Sequence, residues 1–209
     1  DIHGDGFERH LAPRRGAMTD MRAGLASAEA DLASNGISTA IMAQFYSWEG
    51  GLRSPEFASK FLDALAHTRG EQLTDMRAQL RIETHMIDDY PKMLEMIAAH
   101  DIGYAVFNDH IPHKRLEEGR KPPRLTGTAL KSGRSPEAHL ALMKALHERR
   151  AEVPAALSEF AKRLHSQGCL LGSHDDRSAE GRVDFQAMGA HISEFPETRE
   201  AAQAAHVHQ

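Results

Sequence analysis

The chain has 209 residues, of which 41% are hydrophobic and 26% are charged, and its formal net charge is −5. These values are typical of globular proteins and exclude a disordered or fibrous chain. No apolar run approaches the roughly 18 residues that a membrane-spanning helix needs, and the first residues lack the charged and apolar regions of a signal peptide. The negative charge also argues against general nucleic-acid binding.

A single cysteine, Cys169, lies in an apolar run, which excludes a disulfide within the chain. We interpret it as a small buried side chain, and a reducing compartment suits it best. We therefore expect a cytoplasmic protein with no membrane and no nucleic-acid partner. The sequence leaves open whether the protein forms a homo-oligomer.

Short apolar runs of β type alternate with longer helical patterns, which is typical of βαβ units around a parallel sheet. Strands are predicted at the start of the chain through His3 and at 37–45, 78–84, 104–108, 169–173 and 190–195. Helices are predicted at 19–34, 55–67, 89–100, 135–167 with a division at Pro154, 183–188 and 198–206. Six β-then-α units exclude a helical bundle and leave either an open doubly wound sheet or a (β/α)₈ barrel. The glycine-rich phosphate turn of dinucleotide-binding sheets is missing.

Polar residues end several of the predicted strands, where functional groups of a parallel barrel stand. In His3-Gly4-Asp5 the spacing puts an imidazole and a carboxylate on the same side of an extended chain. Imidazoles and carboxylates at such positions can hold Zn²⁺ or a similar ion and leave a position open for water. The predicted metal ligands are His3, Asp5, Glu83, His110 and His174.

Other polar residues near these strand ends have two interpretations each. Asp109, Asp175 and Asp176 either cap the next helix or accept a hydrogen bond from a metal-bound imidazole. Residues 111–134 form a predicted basic loop, in which Lys114 and Arg115 either contact an anionic substrate or are simply solvated. The remaining histidines of helices and loops are interpreted as surface or packing residues: His10, His67, His100, His139, His147 and His165.

Several segments at the strand ends, among them His3-Gly4-Asp5, Asn108-Asp109-His110 and Ser173-His174-Asp175-Asp176, together resemble the diphosphatases of the carbon–phosphorus lyase pathway, a family of the amidohydrolase superfamily. The resemblance covers nearly the whole chain, and its most specific parts are Ser173-His174-Asp175-Asp176 and Glu194-Phe195-Pro196-Glu197-Thr198. His3-Gly4-Asp5, Asn35-Gly36, the Glu83 strand and Asn108-Asp109-His110 follow in the same order. The chain departs from the family after His110, where Pro112-His113-Lys114-Arg115 replaces a Pro-Gly-Gln type segment.

The resemblance implies an α/β fold with a TIM-type (β/α)₈ barrel that is incomplete here. One barrel domain over 1–209 would hold about six β/α units and the basic loop insertion at 111–134. The last strands and the flanking β-domain would lie outside the chain, and with them the catalytic aspartate, beyond residue 209. His3 and Asp5 would bind metal from the first strand, Glu83 would bind or bridge from the third, and His110 and His174 would complete the set.

The implied reaction is hydrolysis of α-D-ribose 1-methylphosphonate 5-triphosphate, with release of pyrophosphate, during phosphonate catabolism. The expected cofactor is one or two divalent ions, with Zn²⁺ first and Mn, Fe or Ni as alternatives. The same ligands serve an amidohydrolase that acts on a cyclic amide or N-acyl sugar, so they do not decide between the two activities. A non-catalytic metal-binding barrel is the third alternative.

Overall fold

A computed structural model describes residues 2–4, 6–12 and 20–207. These residues form an α/β structure around one sheet of parallel strands, in which the spatial order of the strands is their order in the chain. The strands are β1 (Ile2–Gly4), β2 (Thr39–Tyr46), β3 (Asp75–Glu83), β4 (Tyr104–Asn108), β5 (Leu170–His174) and β6 (Ala190–Glu194). All six predicted strands are confirmed, with small shifts at the ends.

Helices connect the strands, and each predicted helical segment contains one, although the helix predicted at 183–188 begins at Ala179 and three short helices were not predicted. The helices are α1 (Glu8–Leu11), α2 (Met21–Ser34), α3 (Pro55–Thr68), α4 (Tyr90–Ala99), α5 (His113–Glu117), α6 (Leu125–Lys131), α7 (Pro136–Glu148), α8 (Val153–Ser166), α9 (Ala179–Ala187) and α10 (Arg199–Val207). The side chains of Asp20 and Ser54 cap α2 and α3 by accepting hydrogen bonds from main-chain N–H groups. Among the described helices, none is both long and apolar enough to cross a membrane.

The basic segment 111–134 differs from the prediction, because it contains α5 and α6 and is not a plain loop. Leu116, Leu125 and Ile111 from this segment pack with Trp48 and Met143 in a small apolar cluster. These contacts come from distant parts of the chain. They stabilise helices that are too short to persist alone.

The two faces of the sheet differ in character. One face carries apolar residues, such as Leu80, Ile82 and Phe107, which are buried in the main core under the helices. Side chains alternate between the faces of a strand, so the neighbouring residues Gln79, Arg81 and Glu83 point to the other face. The helices α2, α3, α4 and α8 contribute buried residues to this core. They therefore cover the apolar face of the sheet.

A contact across the polar face shows that the sheet is curved. Gln79 on β3 donates a hydrogen bond of 2.7 Å to Glu194 on β6, and Tyr104 on β4 donates one of 2.8 Å to the same carboxylate. Three strand spacings separate β3 from β6, or roughly 14 Å across a flat sheet. Because side chains stand nearly perpendicular to a sheet, this contact requires the strands to curl toward the polar face. A concave parallel sheet is compatible with part of a barrel.

Cys169 provides a test of the core. Its side chain is 2% exposed, as the apolar run predicts, and burial raises the pKa of its thiol to about 11. Only the thiolate attacks disulfide reagents, so we expect the folded protein to react with a chromogenic disulfide at pH 8 roughly a hundredfold more slowly than the unfolded protein. Stopped-flow absorbance with and without guanidinium measures the two rates. Equal rates would show that this part of the core is open.

Candidate metal centre

The carboxyl ends of the strands bring titratable side chains together in two clusters. In each cluster the candidate ligand atoms lie within 4.8 Å of one another. We call one the Glu83 cluster, which consists of Glu49, Glu83 and His110, and the other the histidine cluster, which consists of His85, Asp109 and His113. Both lie at one edge of the sheet because the strands are parallel.

Glu83, the last residue of β3, is the buried centre of the first cluster. Its side chain has 0% exposure, and its Oε1 lies 2.5 Å from Nδ1 of His110. Its Oε2 accepts hydrogen bonds from Nε1 of Trp48 at 3.1 Å and from the main-chain N–H of His110 at 3.2 Å. The loops that follow β2 and β4 are thus both tied to this carboxylate.

Glu49 reaches the cluster from the loop after β2. Its Oε2 lies 3.4 Å from Nδ1 of His110 and accepts a hydrogen bond of 2.8 Å from Arg53. Arg134 supports this loop from behind, since its Nη1 donates to the carbonyl oxygen of Trp48 at 2.7 Å. A Cβ atom at Gly51 would lie 2.7 Å from the carbonyl oxygen of Lys131, and its φ is +62°, so the close approach requires glycine.

The protonation of this cluster follows from its burial and its charges. Burial by itself would lower the pKa of His110, but Glu49 and Glu83 outweigh it and raise the pKa to about 10. Burial would likewise raise the pKa of Glu49, but His110 and Arg53 lower it to about 2. Burial raises the pKa of Glu83, and His110 opposes that rise. The neighbouring carboxyl groups thus favour a positive charge on His110, and a divalent ion could supply that charge instead.

The histidine cluster is a chain of contacts around one carboxylate. Nδ1 of His85 lies 3.5 Å from Oδ1 of Asp109, and Nε2 of His113 lies 2.9 Å from Oδ2. The other ring nitrogen of His113 lies 2.7 Å from Nδ1 of His147, on α7. His85 follows the end of β3, and Asp109 follows the end of β4.

Burial and nearby charges shift the pKa values of several groups in and around the histidine cluster. Burial lowers the pKa of His85, although the charge of Asp109 opposes the change, and it also lowers the pKa of His147. For Asp109 burial acts in the opposite direction, but the hydrogen bond with His113 and the charge of His85 lower its pKa. The lowered pKa values of His85 and Asp109 favour a neutral imidazole beside an ionised carboxylate, which are the forms that bind a metal ion.

An open cleft of about 520 Å³ lies beside the histidine cluster. His85, Asp109 and His113 line it together with His174, from the end of β5, and with the guanidinium-bearing Arg150 and Arg177. His174 lies 3.0 Å from Oδ1 of Asp175 and its ring packs against Phe195. Burial lowers the pKa of His174, and so does the charge of Arg81.

The structure brings together some of the predicted ligands. Glu83 and His110 meet, although β3 and β4 are separate in the chain, and His174 lies at the neighbouring strand end but in neither group of close ligand atoms. His3 is on β1, which pairs with β2, and its side chain lies outside the described part of the structure. Asp5 also lies outside the described residues. The complete ligand set stays a prediction.

The other predicted residues fall into different surroundings. Asp109 belongs to the histidine cluster, and its Oδ1 also accepts a hydrogen bond of 2.9 Å from the main-chain N–H of Ile111. Asp176 is buried with Arg182, at 3.5 Å, and accepts a hydrogen bond of 2.7 Å from Ser173, so it holds β5 to α9. Lys114 and Arg115 are exposed on α5.

Sequence reasoning missed several members of the two clusters. Glu49, His85 and His113 were not assigned as ligands, although His113 follows Asp109 by four residues, a spacing at which the two side chains do meet. His147 was classed as a surface or packing residue, and its contact with His113 had no sequence signal. His139 is indeed a packing residue, with 0% exposure and its ring 5.5 Å from that of Trp48.

Comparisons with known proteins give one informative result. No protein-family model and no solved structure matches the chain. Among curated proteins, it is similar to the α-D-ribose 1-methylphosphonate 5-triphosphate diphosphatase of Escherichia coli (strain K12), with 26% identity over 218 aligned residues. The alignment includes 100% of this chain and 56% of that enzyme, so the chain spans just over half of its relative's length. This similarity supports a relation to that enzyme and a hydrolase-like function.

Arg134 is predicted to support the Glu49 loop and not to bind substrate. We expect Arg134→Met to lower the free energy of unfolding by about 1–3 kcal/mol, because it leaves the carbonyl group of Trp48 without its donor. Lys131→Met, at an exposed position of the same segment, is the control and should change little. Urea unfolding measures both variants, and equal midpoints for the two would contradict the role of Arg134.

Proposed function

We propose that the chain is part of a metal-dependent hydrolase that cleaves a phosphoanhydride bond of a ribosyl triphosphate and releases pyrophosphate. The observation that carries this proposal is the meeting of Glu83 and His110, at 2.5 Å, from the ends of two separate strands. A sheet with parallel strands in sequential order and a concave polar face supports a (β/α)-barrel as the architecture of the domain.

The donor set of the Glu83 cluster fits a divalent ion. Two carboxylates and one imidazole converge, and they are types of ligand that Zn²⁺ takes. Glu49, Glu83 and His110 would hold the ion, and His3, Asp5 and His174 remain the predicted additional ligands. A bound divalent ion lowers the pKa of a water molecule to about 7 and neutralises charge on phosphoryl oxygens.

The cleft supports an anionic substrate. Arg150 and Arg177 line it together with four aspartates, and each arginine has a carboxylate partner at the surface: Arg150 lies 3.7 Å from Glu117 and Arg177 lies 3.2 Å from Glu197. Guanidinium groups suit phosphate oxygens because they offer several donors in a fixed plane, and we propose that both arginines exchange these carboxylates for phosphate groups. The basic residues of 111–134 are less suited, since Lys114 and Arg115 are exposed on α5 and Arg134 is engaged with the main chain of Trp48. We therefore assign the triphosphate to the cleft, which is lined by the predicted ligand His174 and not by Glu49, Glu83 or His110.

The identity of the substrate comes from the curated relative. Its name specifies α-D-ribose 1-methylphosphonate 5-triphosphate, and we propose the same substrate for the protein that contains this chain. The products would be the 5-phosphate and pyrophosphate. We favour the phosphoanhydride over an amide because the name of the relative specifies a triphosphate.

Metal content and product analysis test this function. We expect the protein purified without chelators to contain a divalent metal and to release pyrophosphate from α-D-ribose 1-methylphosphonate 5-triphosphate faster than from nucleoside triphosphates. Mass spectrometry of the metal and an enzymatic pyrophosphate assay give the two results, and EDTA treatment should abolish turnover. Release of an acid or amine from cyclic amides or N-acyl sugars, without pyrophosphate release from any triphosphate, would overturn the assignment.

His174 tests the predicted ligand set separately from the substrate. We expect His174→Ala to lower the metal content of the purified protein with little effect on folding, because the ring is partly exposed at the cleft. His165→Ala, at an exposed position of α8, is the matched control. Metal analysis and thermal unfolding are measured on both variants. An unchanged metal content would remove His174 from the ligand set.

A further inference from the structure

The histidine cluster has the composition of a metal site and lies apart from the ligands that the sequence pattern predicted. His85, Asp109 and His113 offer two imidazole nitrogens and a carboxylate from the loops after β3 and β4. The Glu83 cluster includes none of these residues. His113 belongs to the segment in which the chain departs from the family that it resembles, so the resemblance does not supply this site.

The distances within the cluster match the space around a small cation. A tetrahedral ion with ligand bonds of 2.0–2.1 Å keeps its ligand atoms about 3.3 Å apart. The carboxylate oxygens of Asp109 lie 2.9 Å from Nε2 of His113 and 3.5 Å from Nδ1 of His85, on either side of that value. Small rotations of the side chains would suffice to bind the ion.

The surroundings leave one side of the cluster open. The side chain of His85 is 5% exposed, whereas those of His113 and Asp109 are 26% and 37% exposed and line the cleft. Three protein ligands on one side and solvent on the other are the arrangement of sites that keep a position for water or for an oxygen of a substrate.

His147 completes the cluster from behind. When Nε2 of a histidine binds a metal, the proton on its other nitrogen usually goes to an acceptor that fixes the ring. Nδ1 of His113 has such a partner in Nδ1 of His147, at 2.7 Å. His147 is 8% exposed, is held on α7 and is not in the group of close ligand atoms, so we expect it to orient the ring of His113.

We propose that His85, Asp109 and His113 bind a divalent transition-metal ion, with Zn²⁺ as the expected ion and with His147 as the residue that positions His113. This site is separate from the Glu83 cluster. The proposal rests on the geometry of the histidine cluster and does not depend on the proposed diphosphatase activity.

Metal titration of the purified protein tests the site without any assay of turnover. After removal of metal, isothermal titration calorimetry with Zn²⁺ and absorbance with Co²⁺ give the number of bound ions and their affinities. We expect His113→Ala to bind one ion fewer than the wild type, whereas the control His165→Ala binds the same number. Asp109→Asn should have the same effect as His113→Ala while keeping its size and an oxygen for the N–H of Ile111.

The number of bound ions and their affinities distinguish the two metal sites. A fall from two ions to one supports both metal sites, and a fall from one to none supports the histidine cluster even if the Glu83 cluster binds nothing. His147→Phe should keep the number of ions and weaken the affinity of one of them by roughly 10- to 100-fold, the usual effect of losing such a partner. Far-ultraviolet circular dichroism confirms that each variant is folded. Equal numbers and affinities in the wild type, His113→Ala and Asp109→Asn would overturn the proposal.

Discussion

The burial of one carboxylate organises this edge of the sheet. An ionised carboxylate loses several kcal/mol of hydration when it is buried, so it needs donors or an opposite charge close by. Glu83 obtains them from Trp48 in the loop after β2 and from the main chain and ring of His110 in the loop after β4. These hydrogen bonds to Glu83 fix the loops after β2 and β4 relative to β3. The bond from Trp48 also brings Glu49 to the cluster, because Glu49 follows Trp48 directly, and Arg53 donates a hydrogen bond to Glu49.

The difference between the two faces of the sheet explains why the site lies where it does. The apolar face is covered by helices, and apolar burial there provides the main stabilisation. The polar face is concave, and Gln79 and Tyr104 both donate hydrogen bonds to Glu194 across it. This polar face leads to the carboxyl ends of the strands, where the ionisable side chains of the strands and of the following loops lie close together.

The elements were predictable because each depends on local patterns. Tyr104–Asn108 has the predicted bounds, Ser54 and Pro55 begin α3 as expected, and Pro154 lies in the first turn of α8, where it divides the long helical stretch. Glu83 and His110 were also predictable, since parallel strands bring their carboxyl ends together. Glu49 was not, because its position depends on the glycine turn at Gly51 and on distant support from Arg134. His147 depends on how α7 packs, and helices α5 and α6 depend on contacts that no local pattern records.

Two successive residues, Asp109 and His110, send their side chains into different clusters. A single peptide unit therefore links the two groups of ligands, and neither can be repositioned by moving the backbone there without disturbing the other. Insertions or proline at this point would damage both together, whereas substitution of His147 in α7 would affect only the histidine cluster. The short turn after β4 is accordingly the least replaceable piece of main chain at this end of the molecule.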